Sequence, residues 1–408
     1  MDRYIPINHF ADLLGISRAT LAKWEQQGRC VPDKICNGQK MFEISKLLHI
    51  PEIRAMYESK WKEEMQTRPV RNYTSIELFA GAGGLALGLE MAGFTHLMLN
   101  EIEHDACVTL RCNRPNWNVV EQDIRKISFK KYRKAGVDLI SGGFPCQSFS
   151  YAGKQGGFRD TRGTLFFELA RAVREIQPKI FMGENVRGIV RHDGGRTFAA
   201  IRHTIAELGY TLLGARVLKA IMYNVPQKRE RLIMIAVRND LIGRAHFKWP
   251  DPCQRVQTLR DAFFAGELYD CDVPLSDGQQ YPPAKRAVMR MVPMGGDWRD
   301  LPVEIQKEYM GGSFYLGGGK TGMARRLSLY DPSLTLTCAP AQKQTERCHP
   351  IETRPLTVRE YARIQTFPDE WEFSGSLASR YRQIGNAVPV NLAYAVGRAL
   401  IRMFNGME

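Results

Sequence analysis

The sequence predicts an α/β protein with a parallel central sheet and helices on both faces. Strand-like apolar runs alternate with amphipathic helical segments between residues 73 and 240, which is typical of strand–helix–strand units. A glycine-rich turn at residues 79–86 joins the first of these strands to a helix. The hydrophobic content of 44% and the charged content of 25% are those of a globular protein and exclude an intrinsically disordered chain.

The individual elements follow from local patterns along the chain. At about 100–200 residues per domain, 408 residues suggest two or three domains, each able to bury its own core. Between about 245 and 350 the alternation stops, and proline, glycine and short irregular runs dominate. The strands are predicted at 75–79, 96–99, 137–141, 180–182 and 231–237, and the helices at 85–91, 164–175, 197–208 and 391–403.

The charge balance favours a polyanionic partner. The chain has 57 Lys and Arg residues against 43 Asp and Glu residues, a formal net charge of +14. Nucleic acids bind basic proteins through phosphate contacts that release counterions. Many basic proteins bind no nucleic acid, however, so charge alone leaves the partner open.

Cysteine spacing and hydropathy exclude several classes of protein. The nine cysteines are scattered and form no C-x-x-C pair, which argues against a disulfide framework and a four-thiolate zinc site. No metal is predicted. No apolar run approaches the roughly 18–20 residues of a membrane helix, and the chain opens without a signal-peptide pattern. We therefore expect a soluble cytoplasmic protein that contacts no membrane.

The glycine turn predicts a nucleotide site. Phe79-Ala80-Gly81-Ala82-Gly83-Gly84-Leu85-Ala86 follows a strand and opens a helix, whose first N–H groups are free to bind a ligand. Glu101 lies 20 residues after Gly81, at the end of the next strand, where a carboxylate accepts ribose hydroxyls. These residues alone leave both a nicotinamide cofactor and an adenosyl group possible.

A cysteine at the end of a later strand favours the adenosyl group. Cys146 follows Pro145 where α/β sheets place their ligands, which is a suitable position for a reactive thiolate. A zinc deaminase would need a second cysteine at the position of Phe149, which argues against that chemistry.

Together these blocks resemble the DNA (cytosine-5)-methyltransferases, which use S-adenosylmethionine. The resemblance covers residues 73–408 and implies a Rossmann-like methyltransferase sheet with a smaller, irregular target-recognition domain. Ile102 departs from the family, which often has an aromatic ring there against the adenine. The resemblance rests on blocks in the family's order: Phe79–Gly84, Asn100-Glu101-Ile102, Gln122-Asp123-Ile124, Phe144-Pro145-Cys146-Gln147, Gly183-Glu184-Asn185-Val186, Gln227–Arg231, Arg354–Glu360 and Gln383–Val388.

The resemblance implies a role for each catalytic residue. The Cys146 thiolate adds to C6 of a cytosine that has been flipped out of the duplex, which makes C5 nucleophilic. Glu184, with a raised pKa, protonates or hydrogen-bonds N3, and Arg231 holds O2 with Arg229 as support. The segment after Cys146, residues 148–154, would close over the base.

The resemblance also implies the binding residues. Those predicted for the cofactor are Phe79, Gly81, Gly83, Leu85, Glu101, Ile102, Asp123, Ile124, Pro145, Leu165, Asn386 and Val388. Those predicted for double-stranded DNA are Gln147, Ser150, Arg325, Arg326, Thr335 and Thr337, to which Arg18 is added from the N-terminal segment.

The N-terminal segment resembles the winged-helix head of MerR-type regulators. A helix from Ile7 to Leu14, a Gly15-Ile16 turn and a second helix capped by Ser17 predict a helix-turn-helix that binds its own operator DNA. A structural or protein-contact role stays open, because the segment is only weakly basic. The predicted domains are the head at 1–66, a linker at 67–72, the catalytic domain at 73–253, the target-recognition domain at 254–375 and a C-terminal return at 376–408.

We therefore expect a bacterial, nucleoid-associated modification enzyme of a restriction–modification system. It would act as a monomer, and its cognate endonuclease need not touch it. Two rival interpretations remain, a nicotinamide-dependent oxidoreductase and a DNA-binding regulator with an inactive methylase.

Overall fold

The computed structural model describes residues 3–36, 38–144, 165–318 and 320–408, which form two compact units. Each unit is assembled from separate stretches of the chain. The first unit contains Met1–Ser59, Ala220–Arg229 and Pro252–Pro389, and the second contains Lys60–Lys219, Glu230–Asp251 and Val390–Glu408.

The secondary structure is numbered in chain order. The strands are β1 (Tyr4–Pro6), β2 (Lys34–Cys36), β3 (Gln39–Glu43), β4 (Tyr73–Leu78), β5 (Phe94–Glu101), β6 (Val119–Glu121), β7 (Leu139–Gly143), β8 (Ile180–Val186), β9 (Tyr210–Lys219), β10 (Gln227–Lys228), β11 (Glu230–Arg238) and β12 (Ser333–Leu334). The α-helices are α1 (Ile7–Leu14), α2 (Arg18–Gln26), α3 (Pro51–Tyr57), α4 (Trp61–Glu64), α5 (Gly84–Ala92), α6 (His104–Asn113), α7 (Leu165–Ile176), α8 (Arg196–Glu207), α9 (Leu259–Phe263), α10 (Pro283–Met291), α11 (Val303–Met310), α12 (Val358–Ile364), α13 (Leu377–Asn386) and α14 (Val390–Asn405).

The second unit is built on a seven-stranded sheet with the order β6-β5-β4-β7-β8-β11-β9. Strands β4 to β8 are parallel, and the order reverses between β4 and β7. In open α/β sheets, ligands bind outside the carboxyl ends of the strands at such a reversal. The five predicted strands and four predicted helices are all confirmed, with small changes at their ends.

The prediction of a wholly parallel sheet is wrong for one strand. Strand β11 runs antiparallel to both β8 and β9. Residues 220–229 join β9 to β11 without the crossover helix that a parallel return requires. The sequence analysis also missed β6 and β9, since β9 is partly exposed along most of its length and has no clean apolar period.

Helix α14 completes the second unit by packing against α5. A Cβ atom added to Gly397 would lie 2.6 Å from the Cβ of Ala92, and one added to Gly88 would lie 2.6 Å from the carbonyl oxygen of Val390. The two helices therefore approach through glycine faces. This contact attaches the C-terminal segment to the helix that follows the glycine turn.

The segment predicted as a linker is bound to the second unit. The Arg71 guanidinium makes two hydrogen bonds to the buried Asp138 carboxylate, at 2.7 and 3.0 Å. The backbone of Val70 donates to Asn405, and Asn405 donates to the carbonyl oxygen of Arg68. Residues 68–71 are thus held in place by Asp138 and by the same helix α14 that packs on α5.

The first unit begins with a small helical and antiparallel element. Helices α1 and α2 form as predicted, Gly15 ends α1 with φ +70°, and the Ser17 hydroxyl accepts the N–H of Thr20 to cap α2. The three-stranded sheet β1-β3-β2 is antiparallel. We call residues 3–59 the head, and its membership in the winged-helix class stays a prediction.

The rest of the first unit is irregular, as expected for residues 254–375. Short helices are joined by long loops, and the two-residue strands β10 and β12 pair in parallel. None of the described helices is long and apolar enough to cross a membrane.

Candidate active site

The predicted site residues of the second unit gather at one edge of its sheet. The glycine turn follows β4, Glu101 ends β5, Asp123 follows β6 and Glu184 lies near the end of β8. Because these strands are parallel, their carboxyl ends share one edge. Strand β11 is antiparallel, so its amino end, with Arg231, reaches the same edge. The one strand with reversed direction therefore brings Arg231, the predicted base-binding arginine, to the same edge.

The glycine turn has an unusual backbone. Phe79, Gly81 and Gly83 all have positive φ angles, of 59°, 54° and 87°. Only glycine adopts such angles without strain, so Phe79 costs roughly 1 kcal/mol or more. Leu85, in the first turn of α5, is buried. A strained residue in a ligand-binding turn is consistent with a backbone shaped for a cofactor.

Glu101 holds this turn in position. One of its carboxylate oxygens accepts the N–H of Gly81 at 2.7 Å, and the other accepts the N–H groups of Ile102 and Glu103 at 2.7 and 2.9 Å. A carboxylate has about four acceptor positions, so these three bonds leave room for a ribose hydroxyl. Ile102 beside it is 60% exposed and offers an apolar surface at the same edge.

The end of β6 supplies an ionised carboxylate. The Arg125 guanidinium and backbone N–H both donate to Asp123, and these bonds lower the pKa of Asp123 to about 2. The Ile124 side chain points elsewhere, because it is 3% exposed within the core of the sheet. Only the backbone of Ile124 can therefore serve the predicted contact. Leu165, the first residue of α7, packs partly buried against the same core.

Glu184 and Arg231 form an ion pair at this edge. The distance from Arg231 Nε to Glu184 Oε1 is 2.7 Å, and both side chains are about 10% exposed. Gly143 at the end of β7 makes room for the carboxylate, since a Cβ atom there would lie 2.7 Å from Glu184 Oε2. The predicted acid and the predicted base-binding arginine are thus brought together.

Asn185 connects this pair to the start of the predicted nucleophile loop. Its side-chain amide donates to the carbonyl oxygen of Phe144 at 2.8 Å, and both residues are buried. The sequence analysis did not assign Asn185 a role, although it stands in the Gly183–Val186 block. Pro145, Cys146, Gln147 and Ser150, together with the predicted closing segment 148–154, lie outside the described residues.

Glu77 is a further carboxyl group that the sequence analysis missed. It lies in the middle of β4, 1% exposed, and Ser141 donates to it at 3.5 Å. Burial raises the pKa of Glu77 to about 8, with additional repulsion from Glu184 and Glu101. A charged residue inside the apolar run 75–79 was the signal that could have revealed it.

Comparison with known proteins identifies the family to which this chain belongs. The sequence profile of the C-5 cytosine-specific DNA methylases matches residues 73–402. The chain belongs to this family. It methylates C5 of cytosine in DNA, and the nicotinamide-dependent oxidoreductase is therefore excluded as an interpretation.

Two bacterial relatives extend the similarity of the methylase over the head. The type II methyltransferase M.Eco47II of Escherichia coli is 58% identical over 401 residues, which cover 98% of this chain and 95% of that one. The type II methyltransferase M.PspPI of Psychrobacter sp. (strain TA137) is 58% identical over 406 residues, with 98% and 97% covered. These proteins share almost the whole chain, including residues before 73.

A crystal structure supports the fold of the methylase. A protein encoded within an Escherichia coli prophage and classed as a DNA modification methyltransferase superimposes with a TM-score of 0.60. The two sequences are 25% identical, and the match covers 82% of this chain and 100% of that one. An α/β methyltransferase fold with a mixed central sheet is thereby established.

Arg229 of the methylase is placed differently from Arg231. It belongs to the first unit, is 2% exposed, and donates to the carbonyl oxygens of Leu336 and Gly385 at 3.3 and 2.8 Å. Its guanidinium therefore joins two backbone segments of the first unit. Arg229 was predicted to support Arg231 at the substrate. Its placement disagrees with that prediction, because its guanidinium is already bonded to backbone carbonyl oxygens of the protein.

The two residues predicted to contact the cofactor from the first unit lie at the end of α13. Asn386 is the last residue of that helix and exposed, and its side-chain oxygen lies 3.3 Å from the thiol of Cys338. Val388 follows two residues later and is 7% exposed. Their predicted role stays a prediction.

Arg326 does not face DNA in this structure. It is 4% exposed, and its guanidinium donates to five backbone carbonyl oxygens and to the hydroxyl of Thr353. The prediction that Arg326 contacts a base is therefore corrected, because every nitrogen of the group is used to hold the loops of the first unit together. An exposed arginine and a buried one look alike in sequence.

Three other predicted DNA contacts of the first unit, Arg325, Thr335 and Thr337, are partly exposed. The Arg325 side chain is 20% exposed and lies 3.3 Å from the Asp297 carboxylate. The hydroxyls of Thr335 and Thr337 donate to the carbonyl oxygens of Lys228 and Ala339. Among the described residues, no group of three or more His, Cys, Asp and Glu side chains could hold a metal ion.

Proposed function

We propose that this methylase transfers a methyl group from S-adenosylmethionine to a flipped cytosine, with Cys146 as the nucleophile. The observation that supports this most directly is the Glu184–Arg231 ion pair beside the end of β7. Cys146 follows Gly143, which contacts Glu184, after only two intervening residues. The proposed acid and the proposed base-binding arginine therefore lie at the sheet edge from which the chain continues, in sequence, to Cys146.

The residues of the second unit fit an adenosyl cofactor. Glu101 has unused acceptor positions, Ile102 offers an exposed apolar side chain, and Asp123 is ionised. S-adenosylmethionine supplies a methyl group on a positively charged sulfur. We assign Glu101 to the ribose hydroxyls, Ile102 to one face of the adenine and Asp123 to the adenine amino group.

The chain's own residues activate the base. The Cys146 thiolate forms a bond to C6, and the electron pair of the C5–C6 double bond becomes able to attack the methyl group from C5. Loss of the C5 proton then re-forms the double bond and expels the Cys146 thiolate. Glu184 holds a proton at N3 while negative charge develops on the ring.

Arg231 has a donor left for the substrate. Its Nε faces Glu184 at 2.7 Å and its Nη1 donates to the carbonyl oxygen of Glu230 at 2.9 Å. Within the described part of the chain, Nη2 has no bonded partner, so it can donate to O2 of the base. One guanidinium thus orients the acid and binds the pyrimidine.

The biological context follows from the relatives. M.Eco47II and M.PspPI are type II methyltransferases, and we infer the same role here, the modification of double-stranded DNA within a restriction–modification system. Residues 254–375 are proposed to read the target sequence and residues 73–253 with 376–408 to catalyse. The enzyme is proposed to act as a monomer, without contact to the endonuclease.

The alternative role of the head, operator binding, rests on the start of helix α2. Helix α2 is capped as a recognition helix would be, and Arg18 at its start is exposed. The idea of an independently tethered module is weakened, however, because residues 68–71 are bound to the second unit.

Covalent trapping tests the proposed chemistry. DNA that contains 5-fluorocytosine at the methylated position should accumulate an adduct, because fluorine cannot leave C5 as a proton does. Cys146→Ala should abolish the adduct while binding of S-adenosylmethionine, measured by calorimetry, persists. Cys112→Ala, at a cysteine exposed on α6, is the control and should trap normally. An adduct that survives in Cys146→Ala would disprove the assignment.

A further inference from the structure

The head is docked onto the irregular part of the first unit through one face of α1. Asn8 donates to the Asp331 carboxylate at 2.9 Å, His9 Nε2 lies 2.9 Å from the carbonyl oxygen of Tyr330, and Lys228 Nζ lies 2.7 Å from Asp12 Oδ1. Asn8 is 7% exposed, so this contact is partly desolvated. Directional polar bonds of this kind fix orientation as well as position. The head and residues 252–389 therefore form one body within this unit.

This docking leaves a groove of about 650 Å³ between the head and the loops of residues 293–300. The start of α2 lines one side through Ser17 and Arg18, and Arg299 and Arg325 line the other. The phosphate and sugar groups of a DNA backbone are small enough to enter this groove. The groove is therefore formed jointly by the head and by the region proposed to read DNA.

Three arginines line this groove, and two of them share one carboxylate. Arg299 and Arg325 both bind Asp297, at 2.8 and 3.3 Å, and Asp297 is 2% exposed. Arg18 makes no hydrogen bond or ion pair with any described residue. Burial lowers the pKa of Arg325; Asp297 and Asp331 oppose the shift, and repulsion from Arg18 and Arg299 adds to it. The residues that line the groove include four basic ones (Arg18, Lys228, Arg299 and Arg325) and three acidic ones (Asp12, Asp297 and Asp300), so positive charge is in excess there.

The carboxylates of the other two acidic residues in the groove each have a partner within the protein. Asp300 accepts the N–H of Asp297, and Asp12 is paired with Lys228. The Arg299 side chain is 55% exposed despite its bond to Asp297. Exposed guanidinium groups on both walls, together with the amino end of the nine-residue helix α2, suit a row of negatively charged oxygens.

We propose that this groove binds the phosphate backbone of the target DNA beside the recognised sequence, so that the head belongs to the methylation machinery. The inference rests on the proposed function of residues 254–375. A separate operator bound at Arg18 would also face Arg299 and Arg325, which line the same groove. One duplex that contacts both walls explains the shared groove with no movement of the head.

The matched variants Arg18→Ala and Lys23→Ala test this proposal in the full chain. Both residues are exposed on α2 and each substitution removes one positive charge, but only Arg18 lines the groove. The probe is a duplex that carries the site methylated by the wild type and extends about one helical turn beyond it on each side. Arg18→Ala should raise the Kd for this duplex about 3- to 10-fold and lower the salt slope by about one, as expected for one phosphate contact. Lys23→Ala should change Kd less than about 2-fold.

Other readouts separate the possible failures. With Arg18→Ala, the loss should appear as a higher KM for the long duplex, whereas a duplex trimmed close to the recognised sequence should be bound equally by all three proteins. If Arg18→Ala and Lys23→Ala bind the long duplex with equal affinity, the proposed binding of DNA in the groove is wrong, while the proposed methylation chemistry is unaffected. A footprint on DNA upstream of the gene that Arg18→Ala loses, without any change in target affinity, would also overturn it in favour of an operator. A wild type that methylates no cytosine would overturn the proposed function and the groove together.

Discussion

A 2.7 Å ion pair joins Glu184 on β8 to Arg231 on β11, two strands that pair in antiparallel orientation. The pair exists because β11 reverses direction and presents its first residues beside the last residues of β8. Charge-assisted bonds between partly buried groups are about twice as strong as neutral ones. The acid is therefore already oriented before a base arrives.

Loss of the Glu184 carboxylate should affect catalysis more than binding. Glu184→Gln keeps the shape but removes the acid, and kcat is expected to fall about 10²- to 10⁴-fold, the usual contribution of a general acid or base. The control is Glu230→Gln, next to Arg231, whose carboxylate pairs with Arg187 near the surface. That variant should keep kcat within about 2-fold in single-turnover methylation assays. Similar losses in both variants would contradict the role of Glu184.

Gly143→Ala should disturb the same carboxylate from the neighbouring strand. The new Cβ atom would lie 2.7 Å from Glu184 Oε2, so the acid must move. Because a shift of about 1 Å costs roughly 10²-fold in rate, kcat should fall by about that factor while the protein stays folded. Gly188→Ala, where nothing lies within 4 Å, is the control and should keep full activity. Circular dichroism and kcat together check this expectation.

Glu101→Ala should weaken binding of S-adenosylmethionine. The substitution leaves the Gly81 N–H and the ribose hydroxyls without their acceptor, which costs about 1–3 kcal/mol or roughly 5- to 150-fold in Kd. Titration calorimetry measures the effect directly. Glu103→Ala, two residues further along, is the comparison, because only its backbone N–H contacts Glu101. Unchanged affinity in Glu101→Ala would show that this carboxylate does not bind the cofactor.

Glu77 should make the stability of the second unit depend on pH. Its pKa is about 8 in the folded chain against an ordinary 4.5, so the folded state holds a proton that the unfolded state has lost between these values. The free energy of unfolding relative to Glu77→Gln should therefore fall by up to about 1.4 kcal/mol per pH unit from pH 5 to 8. Urea unfolding at pH 5.5, 6.5 and 7.5, values chosen to span about that range, measures the difference. A difference that does not change with pH would mean that Glu77 is not the group that titrates.

Local patterns were sufficient to predict several parts of the site. The glycine turn, Glu101 twenty residues later and the Ser17 cap of α2 all depend on neighbouring residues, and all three were found where predicted. The placement of arginines was harder to predict. Arg229 and Arg326 are 2% and 4% exposed and bind backbone carbonyl oxygens, whereas Arg18 is exposed without a partner in the described chain. Nothing in the neighbouring sequence distinguishes these cases.

By itself, the sequence determined the family, the order of strands and helices, and the residues at the strand ends, because short-range periodicity and turn chemistry are local properties. Only the tertiary structure decided the direction of β11, the Glu184–Arg231 pair that follows from it and the docking of the head on Asp331 and Lys228. These features join residues far apart in the chain. Their geometry depends on how whole elements pack, since a carboxylate selects its partner by distance and solvent exposure and not by its position in the sequence.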